Sequence, residues 1–266
     1  MDKMNKKKLL DFAAGDGEER IFLGHVLDKY EQCRLRGQAT WTGFLSPYQQ
    51  RLAETVLSAA SVHTGFQMDG GYAEAERKIL FFLPDWQEEA EPDEAMAYLR
   101  CRFWEEDAPT HRDLLGSLMG LSLTRETIGD LLPSASSADL IVSAEIAPYL
   151  LQNWTQAGHA HLRVEALQKD ALSVPARAVR EIHDTVAALR LDAVCASGFA
   201  LSRKKAAELI AAGRVQLNSC EVGKPDASVR EGDTVSARGF GKLLLFRVGG
   251  TSRKGRILII LHRYIG

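Results

Sequence analysis

Leu201-Ser202-Arg203-Lys204-Lys205-Ala206-Ala207-Glu208-Leu209-Ile210-Ala211-Ala212-Gly213-Arg214-Val215-Gln216-Leu217-Asn218 reads as a capped basic helix running into a strand. Ser202 is a suitable N-cap and Gly213 a suitable C-terminal stop. Between them Ala206, Leu209 and Ile210 share one face, which must be core. Arg203, Lys204 and Lys205 then fall in the first turn, where free backbone N–H groups and the positive end of the helix dipole disfavour cations. A phosphate would resolve that conflict by meeting the side chains and the N–H groups together. Downstream, Val215 and Leu217 alternate inward, Asn218-Ser219 is a turn, and Gly232-Asp233 is a second turn before a strand from Thr234 to Arg238. Arg214 and Arg238 are expected to flank the helix on one side of a small sheet. Upstream, Glu181 to Leu191 reads as a further helix leading into this basic domain.

The charge distribution supports an anionic partner. The 266-residue chain carries 33 Lys+Arg and 35 Asp+Glu, a net charge of -2. From Arg180 to the end there are 15 basic and 8 acidic residues, net +7, which leaves 18 against 27, net -9, for the rest. An acidic body with a basic C-terminal domain points to nucleic acid or another anionic surface. Apolar residues make up 45 %, enough for a sizeable core. No window approaches the roughly 18 apolar residues of a membrane span. Leu9-Leu10 is followed at once by Asp11, so no signal peptide is expected. Cys33, Cys101, Cys195 and Cys220 are scattered, which argues for reduced thiols in a cytoplasm rather than a disulfide framework or a zinc ribbon.

The remaining elements read as follows. Residues 4–60 are expected to be helical, with a stripe through Ile21, Leu23, Val26, Leu27 and Tyr30 stopped at Gly37, and a second helix opened by Ser46-Pro47. Lys78 to Leu83 is an apolar run ended by Pro84, expected as a buried strand. Strands are also expected over Tyr98–Trp104, Asp130–Leu132, Asp139–Val142 and His161–Ala166. Helices are expected after the cap Thr110 and over Glu145–Gln156, the latter stopped by Gly158. This order suggests a small α+β sandwich with helices on one sheet face. Ser173-Val174-Pro175 reads as a linker to the basic domain.

The pattern Arg190-Leu191-Asp192, Ser202-Arg203, Ala206 with Leu209-Ile210, Gly213, Val215, Asn218 and Gly232-Asp233 resembles the S4 domain, and residues 190–240 carry the match. The resemblance implies an RNA-binding module with an αL-shaped fold. A wider resemblance covers most of the chain. Thr110-His111-Arg112-Asp113-Leu114-Leu115-Gly116-Ser117-Leu118-Met119-Gly120-Leu121, Thr124 to Asp130, Arg238-Gly239-Phe240-Gly241-Lys242 and Gly255-Arg256-Ile257-Leu258 are similar to the YlmH family. The resemblance implies an α+β chain made of a helical N-terminal region (1–74), a central RRM-like domain (75–168), a C-terminal S4 domain (180–248) and a basic strand or tail (249–266). It also implies RNA partners, rRNA and tRNA, on a large ribosomal subunit carrying a stalled peptidyl-tRNA, and rescue by C-terminal alanine tailing. Protein partners in quality control or cell division are implied as well, and no membrane. The chain departs from the pattern at Cys195, where a leucine is usual, and at Gln216 and Ser219-Cys220, where many members are basic or aromatic.

Expected RNA contacts are Arg203, Lys204, Lys205, Arg214, Arg238 and Lys242 on phosphates, with Arg190, Ser202 and Asn218 shaping or bordering the face. A paired Arg203→Glu and Lys204→Glu change is expected to abolish ribosome binding and leave thermal unfolding nearly unchanged. No cofactor, metal or catalytic residue is expected. Gly239-Phe240-Gly241-Lys242 lacks the spacing of a phosphate loop, and His159 with His161 lack a third ligand close in sequence. Pseudouridine synthases also join an S4 domain to an Arg-Leu-Asp motif, but the residues flanking Arg190 to Asp192 differ, so Asp192 is expected in a cap or salt bridge. The alternatives are an RNA-modifying enzyme that uses the S4 domain for targeting and an adaptor for cell-division proteins. Phe81, Phe82, Phe103 and Trp104 are candidates for base stacking but sit in apolar runs, where core packing is the favoured reading.

Overall fold

The computed structural model describes residues 3–175, 179–252 and 254–265. The chain forms two compact units, Met1–Pro175 and Ala176–Gly266.

The first unit begins with α1 (Lys3–Ala13), α2 (Gly17–Arg36), β1 (Thr40–Leu45), α3 (Pro47–Ala59), β2 (Phe66–Asp69) and β3 (Lys78–Phe82). Asp16 caps α2 by accepting from Glu19 N, and Gly37 ends it in the left-handed region at φ 63°. Ser46 and Gln49 close a capping box on α3. The N-terminal region is not all helical: Trp41, Thr42 and Phe44 carry β-favouring side chains, and β1 pairs antiparallel with β3 in the sheet order β1-β3-β2. The register slips between Trp41 and Phe44. At that bulge Leu80 N donates to Thr42 Oγ1 at 3.1 Å in place of a ladder bond.

Next come α4 (Pro92–Ala95), β4 (Met96–Arg102), α5 (His111–Gly120), β5 (Ile128–Pro133), β6 (Ser137–Ser143), α6 (Ala147–Asn153), β7 (Gln156–Ala157), β8 (Ala160–His161) and β9 (Arg163–Leu167). The long strands form an antiparallel sheet in the order β5-β6-β4-β9. With α5 and α6 as connections this is the split β-α-β-β-α-β topology of RRM-like domains. The second helix is shorter than its apolar pattern suggests, because Trp154 buries itself and Gly158 (φ 58°) turns the β7–β8 hairpin instead of stopping a helix.

One face of this sheet packs Leu99, Cys101, Leu140 and Val142 against Leu114, Leu118 and Leu150 of the helices. The opposite face, which an RRM leaves open to RNA, is covered. Met96, Tyr98, Leu132 and Ile141 pack against Phe44, Ile79 and Phe81 of the first sheet. Phe82 and Leu80, pointing the other way from β3, fill the core under α1, α2 and α3. Phe81 and Phe82 are therefore buried on opposite faces of one strand, and Phe103 is buried as well, whereas Trp104 is 79 % exposed.

The second unit comprises β10 (Val179–Val186), α7 (Leu191–Phe199), α8 (Arg203–Ala211), β11 (Val215–Leu217), β12 (Cys220–Glu221), β13 (Thr234–Ala237), β14 (Gly241–Thr251) and β15 (Ile257–Tyr264). The stretch expected as a helix from Glu181 is a strand. Ile182 and Val186 are four apart, a spacing that puts them on one face of either element, and an eight-residue pairing with β15 decides for the strand. The sheet order is β10-β15-β14-β13-β11-β12. The position expected to separate an S4 domain from a C-terminal tail, between residues 248 and 249, lies inside β14. Val194, Cys195, Phe199, Ala206, Leu209 and Ile210 of the helices pack on Val215, Val235, Leu243, Leu245, Ile259 and Leu261 of the sheet. At the closest approach, a Cβ on Gly198 would lie 2.3 Å from Leu243 Cδ2.

Candidate nucleic-acid interface

α7 and α8 are joined by three residues. Ala200 takes the left-handed conformation (φ 57°), and Ser202 accepts from Lys205 N at 3.1 Å to cap α8. As expected from the spacing, Ala206, Leu209 and Ile210 are buried, which leaves Arg203, Lys204 and Lys205 exposed in the first turn. The corresponding turn of α7 is closed. Leu191 N donates to Ala227 O at 2.8 Å and Asp192 N to Pro225 O at 2.9 Å. The free helix N-terminus of the pair is thus the one that carries the cations.

Asp192 is buried, and its carboxylate organises two of the expected site residues. Arg190 donates to it through Nε at 3.2 Å and Nη2 at 3.1 Å, and Arg203 through Nη2 at 2.7 Å. Burial on its own would raise the Asp192 pKa; the hydrogen bonds from Arg190 and Arg203, with their charges, outweigh it and hold the carboxyl below its ordinary value. The same bonds raise the Arg190 pKa. Both guanidiniums stay about half exposed, at 44 % and 55 % of the side chain. A guanidinium has five N–H donors, so Arg203 can hold Asp192 and still meet an external oxyanion. The expectation that Arg203→Glu would spare folding does not survive this geometry, since the new carboxylate would face Asp192.

Lys204 is exposed on the outside of the turn, and Lys205 makes an exposed pair with Glu208 at 3.4 Å, an interaction too solvated to restrain it much. Arg214 and Arg238 are brought together: Arg214 Nη2 donates to Arg238 O at 3.2 Å and Arg238 N to Arg214 O at 2.9 Å. Asn218 is a hairpin residue at φ 53°, followed by Ser219 at φ 64°. Its amide donates to Asp233 Oδ1 at 2.6 Å and accepts from Thr234 N at 2.8 Å, so it ties one turn to the next. Lys242 lies over the Tyr264 ring, 5.8 Å from its centroid.

Sequence reasoning missed Arg180 and Arg263. They are direct partners in the β10–β15 register, and with Lys242 and the turn Gly239–Gly241 they line a concavity of about 740 Å³. The juxtaposition is hidden in the sequence because the stretch from Glu181 reads as a helix, and only the pairing with β15 aligns the two arginines. The turn is tied to the helices by Phe240, whose ring stands 6.1 Å from that of Phe199.

The arrangement, a cationic helix start beside a small antiparallel sheet with further cations at its rim, suits a sugar–phosphate backbone. Comparison with known proteins gives it a context. Residues 107–171 match the family described as "Putative RNA-binding domain in YlmH", and residues 189–235 match the S4 domain. The chain is also 35 % identical, over 92 % of its own length and 95 % of the other, to the Ribosome-associated protein quality control protein P2 of Bacillus subtilis (strain 168). The chain belongs to the YlmH family. A solved structure titled "Cell division protein ylmH from Streptococcus pneumoniae" is 15 % identical with a TM-score of 0.49, covering 58 % of this chain and 94 % of that one. The S4 match takes in α7, α8 and β11 to the start of β13. It leaves out β10, β14 and β15, the three strands that frame the concavity.

Proposed function

We propose that this protein binds RNA and catalyses nothing, acting in the cytoplasm on rRNA and tRNA of the large ribosomal subunit in the rescue of stalled peptidyl-tRNA, including alanine tailing. The observation that carries the reading is the first turn of α8. Three successive cations stand at a helix start whose Lys205 N–H is capped by Ser202, and one of them, Arg203, is held in place by the buried Asp192. Lys204, Lys205, Arg214, Arg238 and Lys242 act as phosphate contacts, Arg190 and Ser202 set the geometry, and Asn218 borders the face. The name of the Bacillus relative supports the setting of ribosome quality control. Partners of the quality-control or cell-division machinery would be additional to the RNA. A modifying enzyme built around Asp192 is disfavoured, because two guanidiniums already clamp that carboxylate.

The test is a Lys204→Glu, Lys205→Glu variant of the full chain, sedimented with purified large ribosomal subunits over a salt series. Neither lysine supports the core, so the melting temperature should stay within about 2 °C of wild type, as for ordinary surface changes. Co-sedimentation should fall sharply, and each lost phosphate contact should flatten the dependence of log K on log salt by about 1. Wild-type co-sedimentation by the folded variant would refute the assignment of this face.

A further inference from the structure

Arg180 and Arg263 sit directly opposite each other on β10 and β15, so their side chains share one face of the sheet. Like charges in that relation destabilise a strand pair unless something lies between them. Among the described residues of the unit the neutralisation is incomplete. Arg263 donates to the Phe240 carbonyl at 3.2 Å and lies over the Phe199 ring at 5.7 Å, and both partners are uncharged. The neighbouring carboxylate, Glu181, points to the other face of the strand, where His183 Nε2 at 2.6 Å and His262 Nε2 at 3.2 Å engage it. Asp184, on the Arg180 face but four residues along, accepts from Ser197 Oγ at 2.6 Å. The concavity holds Arg180, Arg263 and Lys242, and no carboxylate stands among its described lining residues. Phe240, Tyr264 and Ile265 also line it, together with the turn at Gly239 (φ 88°) and Gly241 (φ 95°), where the backbone is bare and a bulky oxyanion can approach.

We propose that this concavity is a second anion site, distinct from the first turn of α8, that takes a phosphate of an RNA strand between Arg180 and Arg263 with Lys242 at its edge. Two arginines facing each other on a concave wall concentrate positive potential there, and a phosphate offers each guanidinium paired oxygens. The inference rests on the reading that the chain binds RNA, and it extends the contact surface beyond the segment matched to the S4 domain.

Two measurements on the full chain test it. In the first, a fluorescein-labelled RNA hairpin is titrated with wild type, Arg180→Glu and the Lys204→Glu, Lys205→Glu variant. Arg180 is exposed at the start of a strand, and its replacement should weaken binding about tenfold and flatten the salt dependence by about 1. Wild-type affinity and slope for Arg180→Glu would overturn the second site. Loss with Arg180→Glu but none with the lysine variant would instead sink the α8 reading and leave this site standing. In the second, the arginine Nε–H resonances are followed as the hairpin or inorganic phosphate is added. Saturable shifts of Arg180 and Arg263 with the hairpin but not with equal phosphate support a strand. The same shifts with phosphate alone overturn the RNA assignment in favour of a small-ion site, and no shift with either refutes the site altogether.

Discussion

Arg203 Nη2 and Asp192 Oδ2 lie 2.7 Å apart, joining the first turn of α8 to the first turn of α7. The contact explains how a cation tolerates the positive end of a helix: a buried carboxylate from the neighbouring helix compensates it.

Removing that carboxylate has a definite expected consequence. Asp192→Ala loses the charge-assisted bonds to Arg190 and Arg203, and because both guanidiniums can rehydrate, the cost should be about 1.5–3 kcal/mol. The Asp192 carboxyl titrates below its unfolded value of about 3.9. A depressed folded pKa contributes stability that is present above about pH 4 and is lost as pH falls through the folded value. Urea unfolding of the second unit should therefore separate wild type from variant at pH 7, with the gap closing on acidification below about pH 4. A gap of equal size at pH 7 and pH 3 would show that the ion pairs contribute nothing.

Gly198 is required by proximity rather than by its torsion angles. A methyl group there would meet Leu243 Cδ2 at 2.3 Å and Leu261 Cδ1 at 3.2 Å. The leucine ends can yield in part, so Gly198→Ala should cost about 1–3 kcal/mol by overpacking. Hydrogen exchange of the β14 and β15 amides should accelerate in this variant. Protection equal to wild type would mean that the helix can lift without loss.

Phe81 and Trp104 separate packing from stacking in the first unit. Phe81→Ala opens the core between the two sheets and should cost about 3–5 kcal/mol, whereas Trp104→Ala, at an exposed position, should stay within about 0.5 kcal/mol. All four tryptophans lie in the first unit, so their fluorescence reports its unfolding alone. RNA affinity should be unaltered in Phe81→Ala under conditions where that unit remains folded. Affinity lost without unfolding would assign the buried sheet face to RNA after all.

Much of this was readable in the residues. The capped helix at Ser202, the buried Ala206, Leu209 and Ile210, the Asn218-Ser219 turn and the salt-bridging role of Asp192 follow from local chemistry that no distant contact overrides. The strand β10 was not readable, because Ile182 and Val186 satisfy both periods and only pairing with residues some eighty positions later decides between them. The strand β1 was hidden in a stretch read as helical, although Trp41, Thr42 and Phe44 carried the signal. The covering of the RRM-like sheet depended on the Phe81 and Phe82 pair. An apolar run shows that both faces are buried, but not that the second layer is another sheet. The Arg180 and Arg263 pair was lost with the strand that aligns it.

The placement of β15 between β10 and β14 carries a consequence for biogenesis. Of the described strands of this sheet, the latest in the sequence is the one on which β10 and β14 both lean. During translation, β10, α7 and α8 emerge without the hydrogen-bonding neighbour that holds the first of them. Closure across so long a loop is slow, and the basic unit reaches its final form only once β15 has emerged. A nascent chain truncated before Ile257 would hold α7 and α8 over an unfinished platform, with the backbone of β10 open to pairing with a stranger.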